Sequence, residues 1–236
     1  MLFLKIAEKY LLSLLFFIML KSPELIVLFL KIAGKRGANL LLESCATVSQ
    51  GAILSRIKGN PVADSVKLSL YTMKEMNESL GIEFHGSVEK LQEVYVPKEK
   101  LKELPISKVG MILVNLTGHQ AVSVRPEHSG RLIPSNFAVI EPYRRLEPIY
   151  LEWFFNKHPE CLRQLRIATQ GSIVAALSIK MLRELKLEIP TIEKQKMIGS
   201  MNRTLDRKRR LVNERLQLEE QLLKQLSINY LKEEVK

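Results

Sequence analysis

Hydrophobic and polar positions change rhythm three times along this chain. The first 33 residues are dominated by two apolar runs, YLLSLLFFIML from Tyr10 to Leu20 and LIVLFLKIA from Leu25 to Ala33, with Lys21, Ser22, Pro23 and Glu24 between them. From about Leu40 the runs shorten and alternate with turn residues: ATVSQGAILSRIKGN, VGMILVNLTGHQAVSVRPEHSG and RLIPSNFAVIEP, punctuated by Gly51, Gly110, Gly118, Gly130 and Pro134. Short β-branched runs bounded by Gly and Pro predict strands of a mixed sheet. Between them, residues 64–80 have helical composition with weak periodicity. EPIYLEWFFNKHPECLRQLRIATQG predicts two short helices, with Ile149, Leu151, Trp153, Phe154 and Phe155 as apolar face, a restart at Pro159 and a stop at Gly171. Ser172 to Leu177 then predicts an apolar strand, Ser178 a cap for the helix IKMLREL, and KLEIP a final strand closed by Pro190.

The third rhythm is a single helix. Thr191 is suited to cap it, and Glu193 in its first turn favours the helix dipole. From there to about Leu231 there is no Pro, and Gly199 is the lone Gly. About 40 residues at 1.5 Å each give an arm of about 60 Å, too long to be covered by a domain of this size. Along it Ile198, Met201, Leu205 and Val212 follow spacings of 3, 4 and 7, and Leu211, Leu218 and Leu222 follow 7 and 4. The stripe drifts and is wider than a two-stranded seam. Its length points to a coiled-coil partner, with Ile198, Met201, Leu205, Val212, Leu218 and Leu222 as dimerisation positions. The expected architecture is α+β: an apolar segment over 1–39, a mixed β-rich domain over 40–190, and a long coiled-coil helix over 191–236 for dimerisation and partner docking.

Charge and composition narrow the partners. The chain of 236 residues has a formal net charge of +11, which points to an anionic partner, nucleic acid or an acidic membrane surface. Residues 191–236 are the densest in net charge, with 11 Lys and Arg against 7 Asp and Glu and the run Arg207, Lys208, Arg209, Arg210. Membrane insertion of the first segment is disfavoured. Its first apolar run is well short of the roughly 20 residues a spanning helix needs. Joining the two runs would bury Lys21 and Glu24 at about 2.5–3.5 kcal/mol each, and Pro23 would break the helix. A helical hairpin packed on the domain, or an upstream extension through a misplaced start, are the other readings. Cys45 and Cys161 show no metal spacing and are too few for a disulfide framework, which suits a reducing cytoplasm.

Catalytic signatures are scarce. No G-x-G and no phosphate-loop pattern occurs, and His85, His119, His128 and His158 have no partner at i+4 for a zinc site. Glu184-Leu185-Lys186 matches half of a nuclease motif, at a level near background. Binding chemistry is richer. Ser49, Gln50, Arg56, Lys58, Asn115, His119, Gln120, Ser135 and Asn136, with Arg163, Gln164, Arg166 and Gln170, are candidate DNA-binding residues. Arg pairs geometrically with guanine, Asn and Gln with adenine, and Lys chiefly with phosphate.

The joint TQGS…LSIKMLRELKLEIPTIEKQKMI resembles the end of a target recognition domain, with the start of the following helix, in specificity subunits of type I restriction–modification systems. The matching features are Gly171-Ser172, Leu182 and Leu185, Ile189-Pro190, and Gln195 three residues before Ile198. LLESCATVSQGAILSRI and GRLIPSNFAVIEP resemble strands of such a domain, so the likeness spans about residues 40–232. It implies a non-catalytic module that grips double-stranded DNA through residues 40–190 while its helix docks modification and restriction subunits. No cofactor would be bound by this chain; S-adenosylmethionine, ATP and Mg would belong to those partner subunits. Full specificity subunits resemble two such units in tandem, so the resemblance implies a half-subunit that forms a homodimer, a partner to a second specificity chain, or a truncated remnant. A membrane-associated coiled-coil scaffold, supported by residues 1–33 and the basic tail, is the competing reading, and a nuclease using Glu184 and Lys186 a third.

Overall fold

The computed structural model describes residues 38–57, 64–82, 93–170 and 176–234. The two N-terminal apolar runs, Lys58 and most of the strand expected over Ser172–Leu177 lie outside them. Among the described residues no helix is long and apolar enough to cross a membrane.

Among the described residues, eight strands and six α-helices follow in the order β1 (Ala38–Leu41), β2 (Ala46–Gln50), α1 (Leu54–Ile57), β3 (Ser65–Ser69), α2 (Met73–Leu80), β4 (Glu93–Pro97), β5 (Ile112–Asn115), β6 (Ala121–Ser123), β7 (Phe137–Pro142), α3 (Pro148–Lys157), α4 (Pro159–Thr169), α5 (Ile179–Arg183), β8 (Lys186–Ile189) and α6 (Ile192–Glu234). The central sheet has the order β2-β7-β5-β6 and is antiparallel throughout. Two-stranded sheets β3-β4 and β1-β8 flank it. The α+β class and the long terminal helix are as the pattern predicts.

The runs MILV and FAVI are unbroken because the central sheet is covered on both faces. Alternate residues of a strand point to opposite sides. Ile112, Val114, Ala138 and Ile140 face one way and pack with Tyr150, Leu151, Phe154 and Phe155 of α3 and with Leu182, Leu185 and Leu187 of the joint. Leu113, Phe137 and Val139 face the other way and meet Tyr71 and Met76. The helix expected over 64–80 is half wrong. Residues 65–69 are strand, because Val66 and Leu68 alternate and pair with Val96 and Val94 of a strand almost 30 residues away. Only Met73–Leu80 is helical, opened by a reciprocal cap between Thr72 and Glu75.

At the joint Ser178 accepts from the Met181 backbone N–H as expected. Arg183 reaches across to the Val48 carbonyl at 2.8 Å, and Leu42 N–H donates to the Leu185 carbonyl at 2.8 Å. The first turns of α6 lie on α3. Gly199 is there because any side chain would strike Ile149, whose Cγ2 stands 2.6 Å from where a Cβ would be. Gln195, 1% exposed, ties three segments together. Its Oε1 accepts from Glu147 N–H at 2.8 Å, and its Nε2 donates to the carbonyls of Arg145 at 3.0 Å and Pro190 at 2.9 Å. Ile198 packs against the main core rather than standing in an outward stripe, which corrects its expected dimerisation role.

Removing this amide breaks three part-buried hydrogen bonds to backbone groups, each worth about 0.5–1.5 kcal/mol net. Gln195→Ala is therefore expected to lower the urea midpoint of the full chain by an equivalent of at least about 1–3 kcal/mol. Gln195→Glu should be worse at neutral pH, since an oxygen would then face two carbonyl oxygens. It should recover partly near pH 4, about the ordinary carboxyl pKa, where the protonated acid regains one donor.

Candidate functional site

The sheet register gathers most of the predicted binding residues at one end. Gln50 pairs with Ala138, Asn115 with Phe137, and Val114 with Ala121. The ends of β2 and β5 and the starts of β6 and β7 therefore share one rim. Ser49, Gln50, Asn115, His119, Gln120, Ser135 and Asn136 belong to it, and Arg56 follows on the exposed side of α1. Gln50 Nε2 donates to the Ser135 carbonyl at 2.9 Å, and Leu116 N–H to the Asn136 carbonyl at 3.0 Å, so one side-chain and one backbone bond hold the loops together while the Asn136 side chain stays exposed.

Asn115 does a different job from the one its type suggests. It is 3% exposed. Its Oδ1 accepts from Thr117 N–H at 3.0 Å, from Thr117 Oγ1 at 2.9 Å and from Gly118 N–H. The buried amide thus shapes the β5–β6 turn, in which His119 takes a left-handed φ of 57°, and base reading by Asn115 is corrected to a supporting role. His119 and Gln120 remain half-buried on the turn it builds.

The residues of α4 do not join the rim as a group. Gln164 holds both backbone groups of Lys186, accepting from its N–H at 2.9 Å and donating to its carbonyl at 3.1 Å. It acts as a side-chain extension of the β1-β8 sheet, at the end where β2 begins, which corrects its predicted base contact. Arg163 grips Glu160 through Nε at 2.8 Å and Nη2 at 2.6 Å, and that bond draws the Glu160 pKa below its usual value. Arg166 and Gln170 are exposed. Of the nuclease pair, Glu184 stands 3.9 Å from Lys180, and no group of three or more His, Cys, Asp or Glu able to hold a metal ion occurs among the described residues. Cys161 is buried, and desolvation pushes its thiol pKa up to about 12, out of the reactive range.

A cleft of about 840 Å³ adjoins the rim at Gly118–Gln120 and runs between β6, α3, the end of α2 and the part of α6 from Asn202 to Arg210. Arg125 and Arg203 in it were not singled out by the loop pattern. The available signal was the i, i+4, i+7 spacing of Arg203, Arg207 and Arg210.

Beyond the cleft α6 leaves the domain. Residues 211–231 are exposed throughout. Met201 is half-buried, whereas Leu205, Val212, Leu218 and Leu222 are exposed, Leu222 at 59%. Leu211, Leu216, Leu223, Leu226 and Tyr230 widen this apolar face.

Asn115→Ala is expected to cost about 1–3 kcal/mol in chemical denaturation, by releasing the turn's N–H groups. Asn136→Ala, at an exposed side chain, should stay within about 0.5 kcal/mol of the parent.

No protein-family model matches the chain, and no curated protein does. Among solved structures it is similar to a chain from work on complex assembly and conformational transition of the type I R-M system, at 13% identity and a TM-score of 0.52, covering 79% of this chain and 42% of that one. It also aligns with the HsdS subunit of Thermoanaerobacter tengcongensis (13% identity, TM-score 0.47, 78% of this chain and 40% of that one). A type I restriction–modification S subunit of M. genitalium aligns with a TM-score of 0.48 at 13% identity, over 80% of this chain and 44% of that one. At such identity the likeness is one of fold: the chain shares the architecture of a type I R-M protein over about two-fifths of that protein's length.

Proposed function

We propose that this chain is a single-domain specificity module of a type I restriction–modification system. It reads one half of a bipartite target in double-stranded DNA through the sheet rim and pairs through the far part of α6. Methyl transfer with S-adenosylmethionine and ATP- and Mg-dependent cleavage belong to the modification and restriction subunits it would recruit. The observation that carries this reading is the apolar face of residues 211–231, which is exposed and which nothing among the described residues covers. Burying each such side chain stabilises by about 1.5–3 kcal/mol, so the arm favours association. The fold shared with the compared chain over 79% of this one supports the reading. Gln50, Ser135 and Asn136 on the rim, with Arg56 beside them, form the candidate reading surface, flanked by His119 and Gln120. Antiparallel pairing of two copies would put two rims under one two-fold axis, and half-sites in DNA mirror such symmetry.

The full chain is expected to sediment as a dimer at micromolar concentration and to select an interrupted palindrome from a random duplex library. A Leu218→Glu, Leu222→Glu double variant should keep its circular dichroism and sediment as a monomer. Its affinity for the full site should drop by about 100-fold or more, as the linked second contact is lost. A parent chain that is monomeric and selects no sequence, with no second specificity chain present, would overturn the reading.

A further inference from the structure

We propose that Arg203, Arg207 and Arg210 form a phosphate clamp, which holds the sugar–phosphate backbone of a DNA duplex in the cleft between α6 and β6. The inference rests on the reading of the rim as a DNA surface. It assigns to the docked part of the arm a role separate from pairing.

Charge is the first ground. Six basic and three acidic side chains line the cleft, and the acids are already engaged. Asp206 is 2.6 Å from Lys157 and 3.8 Å from Arg209. Glu152 accepts from Ser123 N–H at 3.0 Å, and Glu127 lies 3.8 Å from Arg125. Arg203, Arg207 and Arg210 have no acidic partner within ion-pair distance among the described residues. Their spacing of four and three residues keeps them within about 60° of one another round the helix.

Positioning is the second. Arg203 donates to Ser123 Oγ at 2.9 Å. Arg210 lies flat on the end of α2, where Gly81 (φ 70°) has no side chain; a Cβ there would fall 2.0 Å from Arg210 Cδ. Both side chains are held in place, so ordering them on a ligand costs less entropy. A guanidinium fork suits phosphate oxygens in paired hydrogen bonds.

Continuity is the third. Gly118, His119 and Gln120 line the cleft and also belong to the rim, so a duplex presenting bases to the rim would lay a backbone along the arginines. An acidic protein surface is the competing occupant. Protein partners have a separate place to sit, since the apolar face of residues 211–231 is centred about 130° away round the helix.

The test is the salt dependence of binding between the full chain and random-sequence duplex DNA, for the parent, Arg203→Gln, Arg207→Gln and the triple Gln variant. Each lost phosphate contact should flatten the log–log slope by about 0.9, and the triple by nearly 3, with the selected sequence unchanged. Arg203→Lys and Arg207→Lys should restore the slope, which a mere folding defect would not allow. A parent slope retained in the triple variant overturns the clamp. Loss of binding to a modification subunit with that slope retained overturns it in favour of a protein partner. A parent that binds no DNA at any salt instead removes the DNA reading itself.

Discussion

The structure depends on one buried amide. Gln195 ties together three segments, the chain leaving β7, the start of α3 and the proline that closes β8, at a junction that Tyr150 Oη, donating to the Glu188 carbonyl, and the Lys196–Glu147 pair at 3.6 Å also support. Apolar packing is non-directional, so Leu187, Ile189 and Ile198 against the core would permit α6 to slide or rotate. Hydrogen bonds to fixed backbone groups do not. A side chain with one acceptor and two donors in a plane satisfies one N–H and two carbonyls together only at a single helix register. Gly199, one turn on, then lets α6 approach Ile149 closely, and Lys157 completes the seam by donating to Asn202 at 2.7 Å and Asp206 at 2.6 Å. The direction of the whole arm follows from that seam.

With the register set, helical periodicity divides α6 into sectors. Gln195, Gly199, Asn202 and Asp206 fall within about 60° and face the domain. The three arginines of the cleft lie beside them. Leu211, Val212, Leu216, Leu218, Leu222, Leu223 and Leu226 occupy a sector of about 160° centred on the far side. A helix of 43 residues can thus carry three surfaces without their competing for the same positions. This division also explains why the apolar stripe drifts when read from the sequence. Leu211, Leu218 and Leu222 lie toward one edge of the outward sector and Leu205, Val212 and Leu216 toward the other, so a single spacing rule cannot join them.

What was legible in the sequence were features that local chemistry decides. Pro148 and Pro159 begin helices because a missing N–H costs nothing there, Ser178 caps α5, and absence of proline permits a long α6. The strands MILV and FAVI were legible from their β-branched character. Features settled by distant partners were not. Val66 and Leu68 make sense as a strand only against Val94 and Val96. By sequence Gln164 is a polar residue on a predicted helix and Asn115 one beside a predicted turn, yet the first completes a sheet edge and the second a buried turn. A side-chain amide satisfies a backbone as well as it reads a base, and only burial tells the two apart. The resemblance at the joint nevertheless singled out Gln195, the residue on which the seam turns.

Burial on both faces leaves the central sheet little tolerance for change. Ile112, Leu113, Phe137 and Ile140 are fully enclosed, and in close-packed interiors even a methylene is felt. Variation in what the domain binds must therefore be carried by chain that leaves the sheet. At the rim this chain is held by backbone hydrogen bonds, such as Gly51 N–H to the Phe137 carbonyl at 2.9 Å and Leu177 N–H to the Leu116 carbonyl at 2.7 Å. Bonds of that kind are indifferent to the side chains displayed above them. Exposed positions such as Arg56 and Asn136 can then change without disturbing the sheet, whereas Asn115, whose side chain replaces backbone partners within the turn, cannot. On the proposed reading, specificity would evolve at the first group, and the second would hold the scaffold that presents it.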